Sequence, residues 1–370
     1  MKRSFIREIL EHTTPSTISF AGGLPDESLF PVEALRESAQ KALSSPETLQ
    51  YTISQGYLPL REKIAKFYCD QGFETTAQEI LITSGSQQAL DIISRYYFKR
   101  EITVEAPSYL GAMNIFQLNS MQQSSIKLEN DGINLEAFEK SFRKTKFAYL
   151  IPDFQNPTGV VYMFEKRQKV AKIVEQSQGI LIEDAPYSEV YFEQKYPSIS
   201  SMIPERSFHL GSFSKVLAPA LRIGWIRASE ALLKPLIPYK EAMDLHTNSV
   251  AQRIIDVYLE DTDFEAHLKV LRQTYAQKMK QFTQALDQYL PQFHYIKPQG
   301  GMFIYGSLDG VDTTELVYRC LEKGVVFVPG AEFYQDGRGK NEIRFNFTRT
   351  TQEQMQEGIM LINSDDDSVE

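Results

Sequence analysis

Short apolar runs alternate with amphipathic stretches between residues 79 and 227. The runs lie at 79–83, 102–105, 123–128, 147–151, 179–182, 207–210 and 223–226. Several of them lack the alternation of a half-exposed strand, which is typical of strands buried on both faces. Helical periodicity fills the intervals, for example at 87–97, 135–140 and 165–176. The pattern therefore predicts an α/β fold whose large domain holds a mostly parallel, doubly wound sheet of seven strands.

The pattern changes after residue 227. A long helical stretch extends to about residue 289, and Gly300 and Gly301 break it. Strand-like runs at 302–305, 325–328 and 342–347 then alternate with helical ones. This second pattern predicts a smaller α+β domain. We expect an N-terminal segment at 1–35 that packs with the small domain, a large domain at 36–288 that carries the ligand site, and a small C-terminal domain at 289–370.

Composition narrows the classes of function. A chain of 370 residues with 42% hydrophobic residues can bury a sizeable core, and its net charge of −9 argues against nucleic acid as the main partner. Two distant cysteines and five scattered histidines show neither a disulfide framework nor metal-ligand spacing, so we expect a cytoplasmic location and no metal. The sequence shows no signal-peptide pattern and no apolar run of membrane-spanning length.

The segment from 211 to 225 contains the most distinctive chemistry. Lys215 follows Ser212 and Ser214 in an otherwise apolar stretch, and Arg222 comes seven residues later. Burial can lower the pKa of a lysine below about 10.4, which frees its amine to attack the carbonyl of an aldehyde cofactor, while arginine can hold a phosphate. A solvated surface lysine is the ordinary alternative. A P-loop is excluded, because that motif needs two glycines and only Gly211 precedes the lysine.

Gly85, Ser86 and Gln87 follow a predicted strand and open a predicted helix. A helix N-terminus offers free N–H groups and the positive end of its dipole, which together form a phosphate site. Ser86 could equally be an ordinary N-cap. The motif therefore indicates a phosphate site only when it is taken together with the lysine segment.

Asp184, Tyr187 and Asn156 also follow predicted strands. A carboxylate at Asp184 could hold a protonated ring nitrogen, and Tyr187 and Asn156 could donate hydrogen bonds to a phenolic oxygen on the same ring. The alternative for Asp184 is a turn cap before Pro186. These positions suit a pyridine-type cofactor at the carboxyl ends of the strands, where open α/β sheets bind ligands.

Two further residues could contact the cofactor ring and the substrate. Tyr109 offers an aromatic face to a planar ring, although core packing is the commoner role of a tyrosine. Arg344 lies within a strand of large apolar residues and so needs an anionic partner. A substrate carboxylate or a structural salt bridge could serve equally well.

In this order and spacing, these motifs resemble the fold-type I pyridoxal-phosphate-dependent aminotransferases over nearly the whole chain. The sequence is most similar to the class I subgroup of 2-aminoadipate, kynurenine and aromatic aminotransferases, including the stretches 18–25, 49–51, 56–61, 300–303 and 327–330. The resemblance implies pyridoxal 5'-phosphate as cofactor and ping-pong transfer of an amino group between an L-amino acid and a 2-oxo acid. The donor would be 2-aminoadipate, glutamate, or an aromatic or aliphatic amino acid. Ala220 departs from the family, where glycine is usual.

The resemblance also implies residue roles. Lys215 would hold the cofactor as a Schiff base and move the proton, with Asp184 and Tyr187 as catalytic partners. The implied cofactor-binding residues are Tyr51, Gly85, Ser86, Gln87, Tyr109, Asn156, Asp184, Tyr187, Ser212, Ser214, Lys215 and Arg222. The implied substrate-binding residues are Arg7, Gly23, Asn156 and Arg344. Tyr51 would reach the phosphate in the neighbouring subunit, which implies a homodimer with active sites at the interface.

Substrate and reaction type remain open at this stage. Arg7 resembles the arginine that recognises a distal carboxylate, but it could instead be a solvated helix charge paired with Glu11. The same lysine could drive β-elimination of cysteine conjugates. A pyridoxal-phosphate-binding transcriptional regulator would need a basic DNA-binding module, and only about twenty residues precede the motif at 20–23.

Overall fold

The structure is a computed structural model that describes residues 9, 11–97 and 99–366, without the side chains of 365 and 366. Its strands are β1 (Ile18–Ser19), β2 (Ile80–Thr83), β3 (Glu101–Ala106), β4 (Gln122–Glu129), β5 (Gly132–Ile133), β6 (Phe147–Leu150), β7 (Ile180–Asp184), β8 (Ser207–Ser212), β9 (Gly224–Arg227), β10 (Phe293–Tyr295), β11 (Phe303–Leu308), β12 (Val325–Val326), β13 (Val328–Pro329) and β14 (Glu342–Asn346).

The α-helices of the described residues are α1 (Val32–Leu43), α2 (Leu58–Asp70), α3 (Ser86–Tyr96), α4 (Leu110–Leu118), α5 (Leu135–Thr145), α6 (Phe164–Ser177), α7 (Ile199–Met202), α8 (Glu230–Leu233), α9 (Ile237–Asp244), α10 (Ser249–Asp261), α11 (Phe264–Tyr289), α12 (Thr313–Glu322) and α13 (Gln352–Asp366). Short 3₁₀ helices lie at Glu27–Leu29, Pro46–Leu49, Ala77–Glu79, Pro204–Arg206, Pro219–Leu221, Lys234–Leu236 and Gly330–Phe333. No helix among these residues is long and apolar enough to span a membrane.

Within the described part of the chain, eight strands form one sheet in the order β2-β9-β8-β7-β6-β3-β4-β5. The strands from β8 to β4 in this order run parallel, β9 is antiparallel to both β8 and β2, and β5 folds back on β4. Every residue of β2, β6 and β9 is buried, as their unbroken apolar runs predict. The α/β fold and all seven predicted strands are confirmed, and the two-residue β5 is the addition.

The register of this sheet separates two sets of side chains. Asp184 in β7 lies beside Leu210 in β8, so Ser212, two residues further on, shares the face of Asp184. His209 precedes Leu210 and therefore lies on the opposite face. Trp225 of β9 pairs with the residue two positions after His209, so it shares the face of His209. The two sets of side chains therefore lie on opposite faces of the sheet.

The predicted long helical stretch after residue 227 is divided into several helices. Asn248 and Asp263 each begin a new helix, because their side chains accept hydrogen bonds from the backbone N–H groups of Ala251 and Ala266, both at 2.9 Å. Within α11, the longest of these helices at 26 residues, buried side chains recur every three or four positions. This helix leads into the C-terminal strands.

The C-terminal strands form a second, antiparallel sheet in the order β10-β11-β14-β13. The predicted run at 325–328 is split in two, since β12 pairs with β1 in parallel while β13 pairs with β14. Residues Ile18 and Ser19 therefore lie against the C-terminal part of the chain. The domain limits at 35 and 288 stay predictions.

Candidate active site

The first group of candidate residues lies where β2 leads into α3. Gly85, with a φ of +80°, is the N-cap of this helix, and Ser86 is its first helical residue rather than the cap. No side chain among the described residues therefore caps the helix N-terminus. Gln87 follows Ser86, exposed, in the same turn. An ideal Cβ on Gly85 would lie 2.6 Å from Nη2 of Arg222, which donates to the carbonyl of Ser84 at 3.1 Å. Glycine thus admits a guanidinium beside an uncapped helix N-terminus, a combination suited to phosphate.

Lys215 lies in the loop that follows β8. The hydroxyl of Ser212 accepts a hydrogen bond from the backbone N–H of Ser214 at 3.1 Å, which orders the turn before the lysine. Nζ of Lys215 donates to the carbonyl oxygen of Gly23 at 2.7 Å. Burial, followed by the charges of two nearby arginines, lowers the pKa of Lys215 from 10.5 to about 8. Its amine is therefore more nucleophilic near neutral pH than an exposed lysine.

Asp184 ends β7 and is 1% exposed. Its Oδ2 accepts a hydrogen bond from the hydroxyl of Tyr149 at 2.8 Å, whereas Oδ1 has no hydrogen-bond partner among the described residues. Burial raises the pKa of Asp184 from 3.8 to about 7. A buried acceptor without a partner destabilises the folded protein by about 1–3 kcal/mol. A ligand that donates a hydrogen bond to Oδ1 would remove this cost.

Asn156 joins Tyr187 to Arg344. Its Nδ2 donates to the hydroxyl oxygen of Tyr187 at 3.5 Å, and its Oδ1 accepts from Nη1 of Arg344 at 2.8 Å. Burial raises the pKa of Tyr187 well above its usual range, so the phenol stays protonated and can donate. The structure therefore brings together three candidates that lie far apart in the sequence.

Arg344, in β14, is 2% exposed and held between two aromatic rings. Its guanidinium carbon lies 4.3 Å from the ring centroid of Phe303 and 5.0 Å from that of Phe333. Nη2 donates to the carbonyl of Ala21 at 2.6 Å, and Nε has no partner in the described chain. Burial lowers the pKa of Arg344 to about 10. No acidic side chain of the described residues pairs with it, so the structural salt bridge is ruled out there and the guanidinium suits a substrate carboxylate.

Tyr109 and Gly23 border the same region. Tyr109 is half-buried, and its ring folds back over Gly111, where an ideal Cβ would lie 2.5 Å from the ring. An ideal Cβ on Gly23 would lie 3.2 Å from the ring of Phe303 and 4.0 Å from Nζ of Lys215. A side chain at position 23 would therefore enter the space beside the lysine.

Two candidates stand apart from this group. Tyr51 is 79% exposed, and its ring packs edge-to-face against His246, with 5.8 Å between centroids. Arg7 lies outside the described residues. Ala220, the departure from the family pattern, is exposed in the 3₁₀ helix Pro219–Leu221, and the positive φ of this segment falls on Arg222 at 54° instead. Glycine is therefore not required at position 220.

Three residues of the site are not among the candidates predicted from the sequence. Tyr149 donates to Asp184, and Phe303 and Phe333 enclose Arg344. A signal existed for Tyr149, because a hydroxyl inside a fully buried strand needs a polar partner. The two phenylalanines gave none, since apolar residues are ordinary in such strands.

The fold and the site define this chain as a fold-type I aminotransferase of class I. The family model "Aminotransferase class I and II" matches residues 18–362, and the chain belongs to this family. It is 36% identical to aromatic-amino-acid aminotransferase 1 of Thermococcus litoralis, over 97% of this chain and 90% of that protein. It is 35% identical to the 2-aminoadipate transaminase of Thermus thermophilus, over 97% and 92% respectively.

A solved structure gives the same result for the fold. The kynurenine aminotransferase of Pyrococcus horikoshii, in complex with PMP, superposes with a TM-score of 0.94 at 33% identity, and the match covers 100% of this chain and 96% of that chain. The chain is thus an aminotransferase enzyme whose cofactor is pyridoxal 5'-phosphate. The described residues fit pyridoxal phosphate in two ways. Oδ1 of Asp184 has no partner among them, and the guanidinium of Arg222 lies beside the uncapped helix N-terminus at Gly85.

Proposed function

We propose that this enzyme transfers an amino group from an L-amino acid to a 2-oxo acid by a ping-pong mechanism in which Lys215 carries the proton. The observation that carries the proposal is the Lys215 amine, which donates to the carbonyl of Gly23 at 2.7 Å and whose pKa burial lowers to about 8. Pyridoxal phosphate supplies the aldehyde that takes up the amino group and a ring that acts as an electron sink. With such a pKa, roughly one Lys215 amine in ten is uncharged at pH 7, so Nζ can accept a proton from the substrate α-carbon.

We propose further that the cofactor is held at both ends and over one face. Asp184 would accept a hydrogen bond from the ring nitrogen through Oδ1 and keep that nitrogen protonated. Tyr187 and Asn156 would donate to the phenolic oxygen, and Tyr109 would stack on the ring. The residues proposed to hold the phosphate are Gly85, Ser86, Gln87, Ser212, Ser214 and Arg222.

Arg344 is proposed to bind the α-carboxylate that both substrates carry. Its buried, ring-enclosed guanidinium supports this role, and Gly23 would line the substrate space beside it. The names of the relatives support 2-aminoadipate or an aromatic amino acid as donor, with glutamate and aliphatic donors as further candidates. The binding of a distal substrate carboxylate by Arg7 stays a prediction. Arg7→Ala should reduce activity on glutamate much more than on phenylalanine, and equal losses would contradict the role.

A homodimer is the proposed assembly. Tyr51 lies among exposed apolar side chains, because Leu49 is 71% and Ile53 57% exposed. The hydroxyl of Ser54 donates to a carboxylate oxygen of Glu241 at 3.1 Å, which ties this segment to α9. An exposed apolar surface of this kind is typical of a subunit interface. Light scattering of the purified protein should give twice the monomer mass. A cytoplasmic location also remains a proposal.

A spectral half-reaction screen tests the proposed function. The cofactor-loaded enzyme should lose its visible absorbance band when the physiological amino donor is added alone, and a 2-oxo acid should restore it. Release of pyruvate and ammonia from a cysteine conjugate without any 2-oxo acid would favour the β-lyase alternative. A band that no L-amino acid changes would count against transamination.

A further inference from the structure

A cavity of about 640 Å³ lies on the face of the large sheet opposite Asp184. Its lining includes His209 and Trp225, which the register places on that face. Helix α2, the loop that follows β7 and the start of α11 complete its walls. Lys215 and Arg344 are not among its lining residues, and of the residues proposed to hold the cofactor Ser212 alone reaches it. The cavity is therefore distinct from the active site, and its volume is in the range that small-molecule sites occupy.

Aromatic rings form much of the wall, contributed by Tyr68, Phe73, Phe213, Trp225 and Phe264. The rings of Phe213 and Trp225 lie 5.0 Å apart between centroids. Gly211 makes this arrangement possible, because an ideal Cβ there would lie 2.2 Å from the indole ring. Flat aromatic surfaces around a cavity of this size favour a planar ligand.

One polar group of this wall lacks a partner. The indole N–H of Trp225 donates to the hydroxyl oxygen of Tyr68 at 2.9 Å, which leaves the tyrosine proton for Nδ1 of His209 at 2.8 Å. His209 is 6% exposed, and burial lowers its pKa to about 3, so the ring is neutral. Because Nδ1 accepts the proton of Tyr68, the ring proton is assigned to Nε2. The hydrogen bond of the His209 side chain within the described residues is made at Nδ1, and the residue lines the cavity, so Nε2 is left for a ligand. A donor on the wall of a cavity can bond to an acceptor on a ligand.

The ionic side chains of the lining already form ion pairs. Lys195 pairs with Glu189, and Asp153 pairs with Arg167 at 2.5 Å. The remaining ion pairs are Lys63 with Asp256 and Glu260, and Lys66 with Asp70. Each of these ionic side chains is therefore paired among the described residues, which favours a neutral ligand over an ionic one.

We propose that this cavity is a second small-molecule site, which binds a neutral, planar aromatic molecule carrying a carbonyl or similar acceptor. The ring of the ligand packs against Trp225 and Phe213, and its acceptor takes a hydrogen bond from Nε2 of His209. The site lies behind the strand whose C-terminal loop carries Lys215, and it binds its ligand without occupying the amino-acid site.

Fluorescence of the cofactor-loaded enzyme tests this proposal, because Trp225 is the single tryptophan of the chain. Benzamide is the probe, since it is planar and neutral, has a carbonyl acceptor and lacks the carboxylate that Arg344 would bind. We expect a saturable change in the tryptophan emission while the absorbance band of the cofactor is unchanged.

Three variants locate the binding. Ser201→Phe adds a ring at the cavity wall and should abolish the change, whereas Ser44→Phe makes the same substitution at an exposed position outside the lining and should leave it intact. His209→Phe keeps a ring but removes the donor, and it should weaken benzamide binding about tenfold.

The proposal is overturned if the emission change does not saturate, or if the Ser201→Phe protein binds benzamide as the wild type does. It is also overturned if benzamide shifts the cofactor band with the same midpoint, because the probe then occupies the active site. If His209→Phe does not fold, the comparison of Ser201→Phe with Ser44→Phe decides the question.

Discussion

Replacing Asp184 with asparagine should stabilise the cofactor-free protein while it impairs catalysis. Burial raises the pKa of Asp184 from 3.8 to about 7, so the folded protein prefers the protonated acid. A raised pKa of an acid means that folding carries no penalty below about pH 4, where the group is protonated in both states. The penalty grows as the pH increases toward 7 and is constant above it.

The size of the effect follows from the two pKa values. The difference between 3.8 and about 7, at 1.36 kcal/mol per pH unit, corresponds to at most about 4 kcal/mol of lost stability above pH 7. Asparagine cannot ionise and escapes this loss, and its amide oxygen can still accept from the hydroxyl of Tyr149. In the loaded enzyme the same change removes the charge beside the ring nitrogen, so transamination should fall by at least about 100-fold.

Urea unfolding of the apoprotein measures this directly. The unfolding free energy of Asp184→Asn relative to wild type should rise between about pH 4 and pH 7 and then level off. Asp309→Asn is the matched control, because the side chain of Asp309 is 81% exposed. If the Asp184→Asn difference does not change with pH, the buried carboxylate does not carry the penalty and the reasoning is refuted.

Three further predictions concern Gly85 at the proposed phosphate site, Arg344 and Lys215. Gly85→Ala should weaken cofactor binding at least tenfold, because the new methyl group meets Arg222, whereas Gly310→Ala should not, since Gly310 has a similar φ of +79° but no atom within 4 Å. Equilibrium dialysis compares the two, and equal losses would contradict the close approach. Arg344→Lys should lower kcat/KM by roughly 100-fold for the amino acid and the oxo acid alike, since lysine cannot make the bidentate pair; a loss confined to one substrate would contradict a shared carboxylate site. The lowered pKa of Lys215, about 8, means that the neutral amine fraction rises about fivefold from pH 7 to pH 8, so stopped-flow cofactor uptake should accelerate accordingly and level off above that. A rise that continues to about pH 10 would indicate an ordinary lysine.

The large sheet could be predicted from the sequence because its strands are buried on both faces and read as apolar runs. The strand β5 could not, since Gly132 and Ile133 acquire strand geometry only by pairing with Glu129 and Leu128 of β4. The division of the run at 325–328 has a similar cause, because its two halves pair with strands of different sheets. Pairing across the fold decides both.

The site was predictable to the extent that its residues follow strands at one edge of the sheet. The contact of Arg344 with Asn156 joins positions 188 apart, and that of Tyr149 with Asp184 joins positions 35 apart. No local pattern signals such contacts. The unpartnered Nε2 of His209 was also invisible in the sequence, because it depends on the orientation of Tyr68 and Trp225.

The proposed function requires that the cofactor is attached to Lys215. Borohydride reduction of the loaded enzyme, followed by digestion and mass spectrometry, should place a phosphopyridoxyl group on the peptide that contains Lys215, and a Lys215→Ala protein should carry no such group. Stoichiometric labelling of another lysine, or unchanged labelling of the Lys215→Ala protein, would contradict the account.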